Sequence, residues 1–133
     1  VIVLDTSVLV DALTGTRRSS GALRRALQDG ERLGLTALVL YEWLRGPRSE
    51  DEMAAQEALF PAAVVLPFGP DEAALAARLF RVVPRARTRQ FDLAIAASVL
   101  QHDAALWTLN PRDFRDIPGL RLYATPARRE DDR

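Results

Sequence analysis

The chain opens on an unbroken apolar run, Val1-Ile-Val-Leu4, that stops at Asp5, meets two hydroxyl residues and turns apolar again. A continuous run of that kind predicts a strand covered on both faces, as inside a parallel sheet. Thr6-Ser7 then predict the cap of a short helix carrying Val8, Leu9 and Leu13. Thr14 to Ser20 is polar and reads as a loop. Gly21 to Gln28 predicts a second helix with Leu23 and Leu27 on one face and Gly30 as its stop, and Leu33 to Thr36 a short second strand. Ala37 to Arg45, halted by Gly46-Pro47, carries a broad apolar stripe of Leu38, Tyr41 and Leu44, with Leu40 and Trp43 one step round. Glu42 interrupts it.

Farther along, Glu50 to Phe60 predicts an amphipathic helix ended by Pro61, and Ala62 to Leu66 a third strand. Asp71 to Val82 predicts a helix with Leu75, Leu79 and Val82 toward the core and Pro70 at its start. Pro84 to Gln90 is a compact basic loop, in which Thr88 is the expected cap of the next helix. That helix, Phe91 to Gln101, is apolar almost all round and so belongs between a sheet and a second layer. Ala104 to Thr108 predicts a fourth strand, Asn110 to Phe114 a turn or short helix, and Leu120 to Ala124 a fifth, edge strand. Strands alternating with helices at these spacings predict one three-layer α/β domain over residues 1–124, with a central, mostly parallel five-stranded sheet. Residues 125–133 read as a charged C-terminal tail.

Composition narrows the chemistry. At 133 residues, 48% hydrophobic and 27% charged, the chain is long enough for a core without staples, and it has no cysteine, which excludes disulfides and thiolate catalysis. No run approaches the roughly 18 apolar residues that span a bilayer. No signal peptide is read at the start, so a cytoplasmic location is expected. All 18 basic residues are arginine and 18 acids balance them. Net charge therefore does not bear on a nucleic-acid partner, whereas clusters at Arg17-Arg18, Arg24-Arg25, Arg85/Arg87/Arg89 and Arg128-Arg129 do. Sequences of the Walker or GxGxxG type are absent.

Four carboxylates stand out. Asp5 ends the first strand, where open α/β sheets place ligands, and a carboxylate is costly to bury there without compensation. Glu42 sits in a nearly wholly apolar helix. Asp92 opens the helix that feeds the fourth strand, and Asp113 follows Asn110-Pro111-Arg112. If the first and fourth strands are neighbours, these groups and Thr108 face one crevice. Such a crevice needs a counter-ion, and an oxygen-only donor set suits Mg2+ or Mn2+ and disfavours zinc or copper. Plainer readings stay open: Asp5 as a helix cap, Glu42 as a surface residue, Asp92 as a first-turn acid and Asp113 as part of a local cap. His102, after a helix end, is not expected to be catalytic. Trp43 and Trp107 read as core.

Leu4-Asp5-Thr6-Ser7-Val8-Leu9, Tyr41-Glu42 before Leu44-Arg45-Gly46, Phe91-Asp92-Leu-Ala-Ile-Ala-Ala97 and Thr108-Leu-Asn110-Pro-Arg-Asp113-Phe114 together resemble, in order, the four motifs of PIN-domain ribonucleases. The resemblance is to VapC-like toxins of toxin–antitoxin pairs and covers essentially the whole chain. It implies a Rossmann-like PIN fold and an acidic quartet, Asp5, Glu42, Asp92 and Asp113, binding one or two Mg2+ or Mn2+ ions. Thr6, Ser7 and Thr108 match supporting hydroxyls, and Asn110 a polar neighbour. The implied activity is endonucleolytic cleavage of single-stranded or loop RNA, tRNA or ribosomal RNA, by metal-activated water. The implied partners are a cognate antitoxin and a second toxin copy, in a heterotetramer or larger assembly. Arg85, Arg87, Arg89 and Arg112, beside the acids, are candidate contacts to RNA phosphates or antitoxin. Met53, Phe60 and Leu79 are candidate apolar surface for the dimer.

Other classes fit less well. A haloacid-dehalogenase-like phosphatase wants an acid where Ser7 stands and a lysine the chain lacks. A PIN nuclease of RNA maturation, or a catalytically silent nucleic-acid-binding PIN module, shares the fold and differs in partner or activity.

Overall fold

The computed structural model describes residues 1–125, so the expected tail, Thr125 apart, lies outside the described residues, as do Arg128 and Arg129. At the centre is β1 (Ile2–Leu4), flanked by β2 (Leu33–Gly34) on one side and β3 (Ala105–Trp107) on the other, with β4 (Arg121–Leu122) beyond β3. All pairings are parallel. The helices are α1 (Thr6–Leu13), α2 (Ser20–Gln28), α3 (Ala37–Arg45), α4 (Glu50–Leu59), α5 (Pro70–Val82) and α6 (Gln90–Gln101). Together they make a three-layer α/β fold around a parallel sheet. None of these helices is long and apolar enough to cross a membrane.

The opening apolar run behaves as its pattern requires: Ile2, Val3 and Leu4 are all buried, covered from both faces. β2 and β3 lie on opposite sides of β1, so the chain's winding reverses there and leaves a crevice at the carboxyl ends of β1 and β3. The register pairs Leu4 with Trp107, and Asp5 N–H donates to the Trp107 carbonyl (2.8 Å), which sets Asp5 abreast of Thr108. α6 is buried on most sides through Leu93, Ile95, Ala96, Ala97, Ser98 and Val99, and packs on α5. Trp43 and Trp107 are core, as their residue type suggested. Each large aliphatic side chain enclosed this way contributes about 1.5–3 kcal/mol.

The sheet has four strands among the described residues, not the expected five. Ala62–Val64 forms a 3-10 turn instead of a strand, and only Leu66 touches the sheet, through a single parallel bridge to Thr36. The reason lies in the neighbour. Thr36 is already the cap of α3, so β2 has no further length to pair with. Pro61, lacking an N–H, starts the turn.

Smaller corrections follow from helix rotation. α3 buries Val39 and Trp43 while Tyr41 and Leu44 face outward, so its inner stripe is turned from the one expected. Leu27 is exposed, and Leu23 and Ala26 carry the inner face of α2. Val82 is 68% exposed, because the chain leaves α5 in extended conformation and buries Val83 instead. Phe60 and Leu79 are core residues, which removes two of the three candidates for dimer surface; Met53 remains exposed. Thr88 does not cap α6, whose cap position is Arg89; its hydroxyl donates to the Arg85 carbonyl.

Candidate active site

Asp5 occupies the cap position of α1 without capping it: its side chain makes no hydrogen bond to the helix's first N–H groups. It is buried, and accepts from the hydroxyls of Thr108 (2.8 Å) and Ser7 (3.1 Å) at one oxygen, Oδ2. Those hydroxyls are themselves fixed, since Ser7 accepts from Leu109 N–H and Thr108 from Asn110 N–H (both 3.1 Å). The buried carboxylate is thus hydrogen-bonded by hydroxyls that follow two strand ends, which the adjacency of β1 and β3 makes available.

Glu42 arrives on α3, half-buried. Thr6 donates to its Oε1 at 2.7 Å and ties α1 to α3, and Arg45, one turn on, stands 3.7 Å from Oε2. α3 is held in place from its start, where the fully buried Thr36 side chain accepts from Val39 N–H (3.1 Å). Tyr41 and Phe91, each immediately before one of the acids, meet at 6.1 Å between ring centres.

Asp92 stands in the first turn of α6, where a helix N-terminus ordinarily favours the charged form. Its carboxyl is nevertheless pushed up to about 6, first by burial and then by the negative charges of Asp5, Asp113 and Glu42, with Arg89 opposing. Like-charge accumulation and desolvation therefore outweigh the helix end. Asp5, Asp113 and Glu42 thus each act on Asp92.

Asp113 is exposed, on the 3-10 turn Pro111–Asp113. Asn110 makes no side-chain cap to that turn, so capping does not account for Asp113. Asp92 and Asp113 line a cavity of about 300 Å3 together with Arg85, Thr88, Arg89, Arg112 and Asp116. Arg85 sits there with left-handed backbone, φ 55°, a conformation unusual for a side chain of its size. Arg87 is exposed on the same turn but does not line this cavity. A second cavity of about 460 Å3 is lined by Thr6, Ser7, Asp11, Thr14, Arg18 and Leu109.

Arg89 is not the solvent-facing contact that its position in a basic loop suggested. Its guanidinium chelates Asp116 at 2.6 and 2.9 Å and also donates to the carbonyls of Asp113 (2.8 Å) and Pro84 (3.0 Å). Asp116 was invisible to the sequence reading. Its one signal was the spacing of three from Asp113 on the same loop. His102 is remote from the acids, at the other end of α6, where Nε2 lies 3.2 Å from Glu72 at the start of α5.

The crevice's donors are carboxylate and hydroxyl oxygens, a set suited to Mg2+ or Mn2+. Among the described residues, no three His, Asp or Glu side chains are drawn together as a ready-made ion site. Asp5 and Glu42 instead bond Ser7, Thr108 and Thr6.

Residues 2–120 match the PIN domain family. Ribonuclease VapC19 of Mycobacterium tuberculosis, in two strains, is 36% identical over 122 residues, covering 88% of this chain and 94% of the relative. Among solved structures, the DNA-bound VapBC of Salmonella typhimurium aligns with a TM-score of 0.71 at 20% identity, covering 92% of this chain and 96% of the other. A toxin-antitoxin complex from Klebsiella pneumoniae aligns with a TM-score of 0.68 at 23% identity, covering 90% and 95%.

Proposed function

The chain belongs to the PIN-domain family and is homologous to VapC proteins, and from that premise we propose that it is a divalent-metal-dependent endoribonuclease, the toxin of a toxin–antitoxin pair. The observation that carries the chemistry is Asp92, whose carboxyl is driven up to about 6 by burial and by Asp5, Asp113 and Glu42. Carboxylates gathered in this way do not attract a phosphodiester by themselves. It fits Mg2+ or Mn2+, held by Asp5 and Asp92 with Glu42 and Asp113 completing the set. When bound, such an ion lowers the pKa of water and offsets charge on the phosphate.

The chain's own groups supply the rest. Ser7 and Thr108 fix Asp5, and Thr6 fixes Glu42, so that two carboxylates keep their orientation without moving at the moment of reaction. Glu42 orients the attacking water. Attack on phosphorus breaks its bond to the 3′ oxygen and leaves a 5′-phosphate and a 3′-hydroxyl. Arg85, Arg87 and Arg112 hold flanking phosphates of single-stranded or loop RNA, tRNA or ribosomal RNA, while Asn110 places water or a carboxylate beside Asp113. The reading extends to cytoplasmic action, to a homodimer, and to a cognate antitoxin that occupies the crevice. The VapC19 relatives named as ribonucleases, and the toxin-antitoxin complex with the same fold, support it.

The test is incubation of the purified protein with total RNA, with Mn2+ or Mg2+ and with EDTA, beside an Asp5→Asn control. Expected are discrete cuts bearing 5′-phosphates, abolished by EDTA and by the substitution. Cyclic phosphate ends, or cuts indifferent to EDTA, would overturn the mechanism.

A further inference from the structure

Two loops that meet at the acidic crevice are joined by one side chain. The turn before α6, residues 84–89, supplies Arg89, and the turn after β3 supplies Asp113 and Asp116. The Arg89 guanidinium makes four hydrogen bonds: two to the Asp116 carboxylate, one to the Asp113 carbonyl and one to the Pro84 carbonyl of its own loop. Its side chain is only 12% exposed, against 43% for Asp116. Arg89 is therefore spent internally, on partners of this chain.

We propose that Arg89 and Asp116 form a strut that positions Asp113, locking the exposed, acidic side of the 110–116 turn against the start of α6 so that Asp113 is held beside Asp92. The inference deepens the metal-nuclease reading above and rests on it for its functional consequence. Three points of geometry carry it. The guanidinium grips the main chain of Asp113 itself, not only a side chain nearby. Arg89 itself occupies the cap position of α6, the helix whose first turn carries Asp92. And while Phe114 anchors the turn in the core, the acidic side of the turn is not fixed by it: Asn110 contributes no side-chain cap and Asp113 is exposed. Planar bidentate pairing is what arginine supplies and lysine does not, so Arg89→Lys keeps the charge while breaking the strut.

The experiment compares the full chain with its Arg89→Lys, Asp116→Asn and Asp116→Glu variants by Mn2+ titration calorimetry, by amide hydrogen exchange of residues 110–116, by melting temperature and by RNA cleavage kinetics. Groups that orient a metal's carboxylates typically change affinity on the order of 10–100-fold. Arg89→Lys and Asp116→Asn are expected to weaken Mn2+ binding by that order and to speed exchange in 110–116. Combining them should add little, and Asp116→Glu should recover most of the loss. kcat falls while KM for RNA holds, the reverse of what loss of a phosphate contact gives. Unchanged Mn2+ affinity and unchanged exchange in both broken variants would overturn the strut, as would a raised KM with kcat preserved. If the parent chain binds no Mn2+, the metal reading fails by itself, and the exchange of 110–116 alone then decides: faster in both variants upholds the clamp, unchanged refutes it.

Discussion

Asp92 sets the electrostatics of the crevice at the scale of one residue. Its ordinary carboxyl value of 3.8 becomes about 6 in the folded chain. Between those values the folded state holds a proton that the unfolded state has released, so this residue's contribution to stability is greatest at low pH and is lost as pH rises through about 6. Asp92→Asn removes that titration. Without divalent ion, the variant is expected to melt above the parent near neutral pH, with the difference shrinking as pH is lowered toward the ordinary aspartate range. With Mn2+ near neutral pH that gap closes, because only the parent binds the ion through Asp92 and is stabilised by it, by about 2.7 kcal/mol at a hundredfold excess over Kd. Melting curves across pH, with and without Mn2+, read both. A difference independent of pH would mean that the four acids do not share a crevice charge.

Elements matter because each acid is only as well placed as the helix or turn beneath it. α3 carries Glu42, and the helix starts on Thr36, whose fully buried hydroxyl accepts from Val39 N–H while its residue makes the bridge to Leu66. Thr36→Ala is expected to cost about 1–2 kcal/mol, read by urea denaturation; a loss within error would show that the cap does not hold α3. The same element marks where sequence reading stops. β1, β3 and α6 were legible because a short wholly apolar run or an all-round apolar helix leaves one placement, and Asp5 and Asp92 inherit their positions from those ends. α3 was legible as a helix but not in its rotation, since an almost wholly apolar helix has no unique stripe and its neighbours decide which side turns inward. Ala62–Leu66 has the residues of a strand, yet whether a strand pairs depends on its neighbour, and β2 ends in a helix cap. Arg89 read as one arginine in a basic loop because its partner, Asp116, belongs to a different loop, and no local period encodes that meeting.

For the molecule as a whole, 18 arginines against 18 acids leave no net charge to steer RNA from a distance. Any affinity for RNA must then come from local placement. Arg85 and Arg112 line the cavity with Asp92 and Asp113, Arg87 stands on the adjoining turn, and Arg89 is withdrawn by Asp116. Three arginines that neutralise three phosphates of a single strand release a correspondingly small number of counter-ions, giving a slope of about −2 in log affinity against log salt, roughly −0.7 for each contact. The Asp5→Asn protein, expected to bind without cutting, allows the measurement by fluorescence anisotropy on a short single-stranded RNA across a potassium chloride series. Arg85→Ala and Arg112→Ala should each flatten the slope by roughly 0.7, whereas Arg89→Lys should leave it unchanged. A slope several times steeper would bring the Arg17-Arg18 and Arg24-Arg25 clusters into the footprint and make the RNA path longer than the crevice. A slope near zero would separate the acidic site from any phosphate-binding role of the arginines around it.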